Sequence, residues 1–174
     1  MIAKEDISKV FAEELAWIKD ETLRDQVITV WHNAIVERGW EDLNQIPFTL
    51  LIEDSGTLIE HTKRVTKIAK SVSEVRTEDI NVDCLIAGAL LHDVGKCVEY
   101  EVINGAVVKS KFGHRFRHPL SGSKLAWMAG LPDEIVHIIY AHSHEGDKLP
   151  RSVESVIVNH SDFIDFHIHK ALRF

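Results

Sequence analysis

Apolar residues recur at helical spacing along most of the chain, and the breaks between stripes fall at glycine, proline and acidic positions. Ile7, Val10, Phe11, Leu15 and Ile18 form one stripe. Leu23, Val27, Val30, Trp31 and Ile35 form a second, opened by Asp20-Glu21 and stopped at Gly39. Residues 40–54, with Pro47, read as a connector. A third helix is expected from about Gly56 to Val75, with the stripe Leu58, His61, Val65, Ile68 and Val72. Steps of 3, 4, 3 and 4 place His61 on its buried face.

The run CLIAGALL within NVDCLIAGALLHDVGK is apolar on every side, and its Ala, Leu and Gly content favours a buried central helix over a strand. Asn81 or Asp83 can cap its start, and Gly95 can supply a left-handed stop. In YEVINGAVVKS, Asn104-Gly105 between valine-rich arms predicts a β-hairpin. Pro119 and Pro132 suit first helical positions, opening helices over about 119–129 and 132–142 that Gly130 separates. A last helix is expected from about Arg151 toward the C-terminus. The pattern predicts a mainly α fold with a small β-hairpin. Residues 1–174 are expected to form one domain, with packing helices in 1–55 and a helical core in 56–174.

Composition narrows the class. With 174 residues and 45% hydrophobic content, the chain is long enough for one sizeable core. A net charge of −7 argues against binding DNA or anionic lipid by bulk charge. Cys84 and Cys97 are too few for a disulfide framework and suit a reducing cytoplasm. The start MIAKEDISKV lacks an apolar signal-peptide core, and the longest apolar run, Cys84 to Leu91, is far short of a membrane span. A cytoplasmic protein is expected.

Histidine changes the picture: there are 11, against 7% aromatic content. His61 and His142 fall at apolar-stripe positions, His142 following Ile135 and Ile138. Burying an imidazole without a partner is unfavourable, and burying an unpaired carboxylate more so. Singly, such a histidine is as readily a core residue bonded to a backbone carbonyl. Six groups on separate predicted helices and their ends, His61, His92, Asp93, His118, His142 and Asp162, point instead to one shared site. A divalent metal is their simplest common partner. In LLHDVGK, His92 and Asp93 end the apolar run and, about 100° apart around the helix, can both reach an ion beyond its end. Lys96 projects near the same ion, which is unfavourable unless an anion such as a phosphate group joins them.

In this order the residues resemble the HD-domain superfamily of metal-dependent phosphohydrolases: His61, His92-Asp93 in HDVGK, His118 in HPLSGS, His142 in YAHSHEG and Asp162 in NHSDFID. The resemblance spans about residues 56–166 and implies a helical bundle. It implies one metal held by His61, His92, Asp93 and Asp162, and a second held by His118 and His142, with Asp93 bridging. Two divalent transition metals per chain, among Mn, Fe, Co, Ni and Zn, would lower the pKa of a water and polarise the phosphoryl oxygen. Asp93 and Lys96 are then the catalytic residues, Lys96 stabilising charge on the phosphoryl oxygens. The implied substrate is a nucleotide or other small phosphate ester, cleaved as a monoester or diester. No bulk nucleic acid and no membrane are implied as partners, and there is room for a homodimer.

The Gly-Tyr-Pro signature of the cyclic-di-GMP-degrading branch is absent after His142, where the chain reads HEGDKLP, so that substrate loses support. HD-type di-iron oxygenases resemble the same pattern, and Lys96 favours the hydrolase. A non-catalytic metal- or nucleotide-binding sensor is a third reading, against which the intact ligand set and Lys96 speak.

Some assignments compete. On the last helix the most apolar stripe, Val153, Val156, Ile157, His160 and Ile164, turns His160 inward, with Asp162 about 200° away. The resemblance favours Asp162, with Asp165 supporting it from one turn on. His114 competes with His118, and His144 with His142. As parts of a solvated loop, His114 and His144 do nothing chemical; together with Arg115 and Arg117 they would form a rim that holds substrate anions. His32, His137, His167 and His169 are expected to have no chemical role.

Overall fold

The computed structural model describes residues 2–173. The first stripe folds as two short helices, α1 (Lys4–Val10) and α2 (Ala12–Leu15), rather than one, because the backbone leaves helical geometry at Phe11. Ile7, Phe11, Leu15 and Ile18 are buried all the same. Helix α3 (Glu21–Arg38) opens where Asp20 accepts hydrogen bonds from the N–H groups of Thr22 and Leu23, and closes at a left-handed Gly39 with φ 68°. The connector holds one short turn, Leu43–Gln45, before α4 (Leu58–Val75). A reciprocal capping box between Thr57 and Glu60 opens α4.

Helix α5 (Val82–Leu91) is the axis of the bundle. Every side chain from Leu85 to Leu91 is buried, and the helix packs against α3, α4 and the later helices α8 and α9 described below. Asn81 caps it, accepting from the N–H of Cys84. Asp83 does not cap; it accepts from the N–H groups of Lys19 and Asp20 and so ties the start of α3 to α5. Polar contacts inside the core fasten the N-terminal segments to α5 and to the residues that follow it. The Trp31 indole donates to the Leu90 carbonyl at 2.9 Å, and that of Trp40 to the Cys97 carbonyl at 2.7 Å.

The left-handed stop expected at Gly95 is not there: φ is −61°, and after a tight turn the chain runs straight into α6 (Lys96–Glu99). The glycine is needed for space. A Cβ would lie 2.1 Å from the carbonyl oxygen of His118 and 2.7 Å from the nitrogen of Gly122, so α7 (His118–Met128) crosses this turn in backbone contact. Between α6 and α7, β1 (Tyr100–Ile103) and β2 (Ala106–Lys109) pair antiparallel around Asn104 and Gly105, both with positive φ as a two-residue hairpin turn demands. Pro119 sits in the first turn of α7. Pro132 comes one position earlier than expected, capping α8 (Asp133–Ala141) rather than beginning it. Ser152 caps the last helix, α9 (Val153–Ala171). The architecture is the expected mainly α fold with one hairpin, arranged as the helical bundle that the resemblance implies. Among the described residues no helix is long and apolar enough to cross a membrane.

Candidate metal centre

Helix ends bring the polar residues together. His61 lies in the first turn of α4, His92 and Asp93 in the turn after α5, His118 at the first residue of α7, and His142 just past the last of α8. Asp162 alone comes from mid-helix, on α9. Asp93 is the centre. Its Oδ2 lies 3.2 Å from His61 Nε2 and 3.5 Å from His92 Nε2, while its Oδ1 lies 3.1 Å from His118 Nε2 and 3.5 Å from His142 Nε2. Asp162 Oδ1 joins the first group, 3.2 Å from His61 Nε2 and 3.9 Å from His92 Nε2. Ligand atoms of His61, His92, Asp93 and Asp162 all lie within 4.8 Å of one another, and those of Asp93, His118 and His142 do likewise.

Tautomers decide what this cluster wants. Each imidazole has its Nδ1 against an oxygen. His61 faces Asp165 Oδ2 at 2.7 Å, and His118 faces Glu99 Oε2 at 2.8 Å. His92 faces the Ala89 carbonyl and His142 the Ile139 carbonyl, both at 2.7 Å. A carbonyl or carboxylate oxygen only accepts, so each Nδ1 carries the hydrogen and each neutral ring turns an Nε2 lone pair inward. With both rings neutral, His61 Nε2 and His92 Nε2, 3.1 Å apart, would both present lone pairs, and among the described residues the buried His142 Nε2 has no hydrogen-bond partner. Four lone pairs and two carboxylates face one another in a buried space. Such a set fits divalent cations, with each ring oriented from behind by its outer oxygen.

The charges agree. Burial pushes the His61 pKa down, but hydrogen bonds to Asp162, Asp165 and Asp93 more than offset it and raise it to about 9. Without a metal, a proton takes the cation's place between the carboxylates. Burial would raise the Asp93 pKa, yet Lys96, His92 and His118 hold it well below the usual carboxylate value. Lys96 Nζ donates to Asp93 Oδ2 at 2.5 Å and to the Phe48 carbonyl at 2.7 Å. An ammonium has three donors, so one remains.

Around the cluster, some residues take roles the sequence did not assign them. Asp165, expected to support Asp162, instead bonds His61, and Arg64 grips it at 2.6 and 3.0 Å. Arg64 also donates to His169 Nε2, giving that histidine a place in the outer network. Glu99 accepts from both the backbone and the ring of His118, and Lys109 pairs with it. Burial would raise its pKa; His118 and Lys109 lower it to about 2. Phe48 stacks on the His61 ring with centroids 3.7 Å apart. The available signal for Glu99 was an acid inside the otherwise apolar run Cys97 to Tyr100; Phe48 offered none.

His160 does not turn inward. It is exposed, along with Val153, Val156 and Ile164, while the buried face of α9 holds Ser155, Ile157, Val158, Asn159, Ser161 and Asp165. Periodicity picked the wrong side because the inward face is polar where it meets the cluster. A cleft of about 390 Å³ opens over Asp93, lined by Lys96, Arg117, His118, His144 and Asp162 among others. Arg117 pairs with Glu145 at 2.8 Å, and His144 lies 3.2 Å from Asp147. His114 and Arg115 are exposed and are not among its lining residues.

The comparisons with known proteins agree with this geometry. The HD domain family matches residues 58–166. A dihydroneopterin 2′,3′-cyclic phosphate phosphodiesterase of Methanocaldococcus jannaschii is 34% identical, over 87% of this chain and 66% of that protein. A tRNA (cytidine(56)-2′-O)-methyltransferase of Thermoplasma volcanium is 31% identical over 62% of this chain, and a ribonuclease Y of Acidothermus cellulolyticus 36% over 44%. The chain covers only 31% and 13% of these two relatives' lengths. No solved structure gives a significant match. With the family matched across more than half its length and the histidines and aspartates gathered as described, the chain belongs to the HD domain family.

Proposed function

We propose that the protein is a metal-dependent phosphohydrolase acting on a small phosphate ester, with a 2′,3′-cyclic phosphate as the first substrate to try, given the name of its Methanocaldococcus relative. One observation carries the reading: the two oxygens of Asp93 face two separate sets of imidazole lone pairs. In this reading His61, His92, Asp93 and Asp162 would hold one divalent transition metal (Mn, Fe, Co, Ni or Zn). His118 and His142, with Asp93, would hold a second.

Such ions supply an activated water and withdraw charge from the phosphoryl oxygens. The remaining work falls to the chain. Glu99, Asp165 and the Ala89 and Ile139 carbonyls keep the four rings in the tautomer that presents Nε2. Lys96, fixed by Asp93 and Phe48, turns its third donor toward the phosphoryl group and stabilises the charge that grows there as water adds and the ester P–O bond breaks. Arg117 and His144, on the cleft wall, meet the substrate's outer anionic groups.

Metal stoichiometry tests the arrangement. Elemental analysis of saturated protein is expected to plateau at two metals per chain, and His118→Ala or His142→Ala to lower it toward one with hydrolysis largely lost. A wild-type plateau at one, untouched by His118→Ala, would leave a mononuclear site and reduce both histidines to substrate contacts.

A further inference from the structure

We infer that the outer face of α9 docks a second copy of this chain, laid antiparallel about a two-fold axis near residue 162. At about 100° per residue, Val153, Val156, His160, Ile164, His167 and Ile168 fall within one third of the helix circumference, opposite the side that α9 buries. Val153 and Val156 are 45% and 41% exposed, Ile164 and Ile168 44% and 53%. Single exposed apolar residues are ordinary, but a continuous stripe marks a contact surface. The stripe carries no Asp, Glu, Lys or Arg, in a chain with 27% charged residues. Loss of charge at the centre is what distinguishes the core of an interface from ordinary surface. Along its middle runs a shallow groove of about 500 Å³ between His160, Phe163, Ile164 and His167.

The stripe is its own complement. Turned about residue 162, Val153 meets Ala171, Val156 meets Ile168 and His160 meets Ile164, and symmetry makes each pair twice. Charge at the ends sets the direction. Glu154 lies in the first turn of α9 and Lys170 in the last. An antiparallel copy brings the acidic end of one helix beside the basic end of the other, whereas a parallel copy sets like against like. Size sets the strength. One helix against its copy over about 27 Å, the length of the stripe at 1.5 Å per residue, makes a small interface under ~1,200 Å², which gives reversible association and not a permanent dimer. Phe163 lines both this groove and the cleft over Asp93, so the second copy comes to lie beside the cleft.

Sedimentation equilibrium of the full chain from about 1 to 300 µM, the range in which so small an interface forms, tests the inference. Wild type is expected to pass from one chain mass to two. Ile164→Lys places a charge at the centre of both copies and should raise Kd about thirtyfold or more, the effect of losing a central contact. Trp127→Lys, at a separate exposed apolar position on α7, should leave Kd within about twofold, as changes outside an interface do. Cysteine cross-linking in a Cys84→Ser background reads the orientation without relying on the lysine variant. Val153→Cys, oxidised with copper phenanthroline, should join to Ala171→Cys and not to itself. A wild type that stays monomeric throughout, or a dimer broken by Trp127→Lys and not by Ile164→Lys, overturns the α9 surface. Val153→Cys joined to itself overturns the antiparallel arrangement.

Discussion

Replacing Asp165 by asparagine changes one oxygen to an NH₂ group and removes a charge, with almost no change in shape. The Asp165 side chain is buried, with only 5% of its surface exposed. Its Oδ2 faces His61 Nδ1 at 2.7 Å and Arg64 Nη2 at 3.0 Å, and its Oδ1 accepts from Arg64 Nε at 2.6 Å. An amide cannot serve both neighbours. If its oxygen stays on His61, its NH₂ confronts the Arg64 Nε–H, donor against donor. If it turns, the NH₂ confronts His61 and forces the ring into the other tautomer, which puts the hydrogen on Nε2 and removes the lone pair from the cluster. Either way a charge-assisted hydrogen bond of about 1.5–3 kcal/mol is lost. An outer partner of a ligating histidine is worth about 10–100-fold in metal affinity, which is the same scale. Competition against a chromogenic chelator should therefore show Asp165→Asn binding manganese about 10–100-fold more weakly. His160→Ala, on the exposed side of the same helix, should match wild type. Affinity within twofold of wild type in Asp165→Asn would refute the tautomer argument.

Asp93→Ala should lose its bound metal and all hydrolysis, measured by elemental analysis and product formation; metal at wild-type occupancy would contradict its proposed role as a ligand. Lys96→Ala should keep its metal yet lose about a hundredfold or more in kcat, the scale of one preorganised charge contact; an unchanged rate, or loss of the metal, would count against it. Gly95→Ala should lower stability by about 1–3 kcal/mol, because its Cβ meets the His118 carbonyl, and chemical denaturation would read this directly. Metal-free protein should also weaken in acid. Asp165 and Glu99 are both held near pH 2, against ordinary values of 3.8 and 4.5, so their contribution is present above about pH 4.5 and fades as pH falls toward 2. Melting temperatures unchanged across that window would contradict it.

Periodicity was a sound guide wherever the inward face is apolar. The α3 stripe and the buried α5 run lie where the pattern puts them, and His61 is legible because Leu58 and Val65 flank it on the same face. It failed on α9, where the face turned to the protein carries Ser155, Asn159, Ser161 and Asp165 and the valines of the opposite face are exposed. A helix that serves a polar site inverts the rule that ranks faces by hydrophobicity. There the ordered motif, not the pattern, singled out Asp162. Gly95 shows a second limit: glycine predicts a left-handed stop from local geometry alone, whereas its reason here is α7, more than twenty residues on. Glu99 and Phe48 reach the cluster only through the fold.

The central claim is that this cluster hydrolyses a phosphate ester with metal in place. Phosphorus NMR of guanosine 2′,3′-cyclic phosphate, with metal-stripped protein before and after manganese is restored, tests it most directly. The account predicts no reaction before restoration, and afterwards conversion of the cyclic ester to a monoester, abolished in Asp93→Ala. An unchanged cyclic phosphate signal after full metal loading, with oxygen consumed instead by the iron-loaded protein, would contradict it.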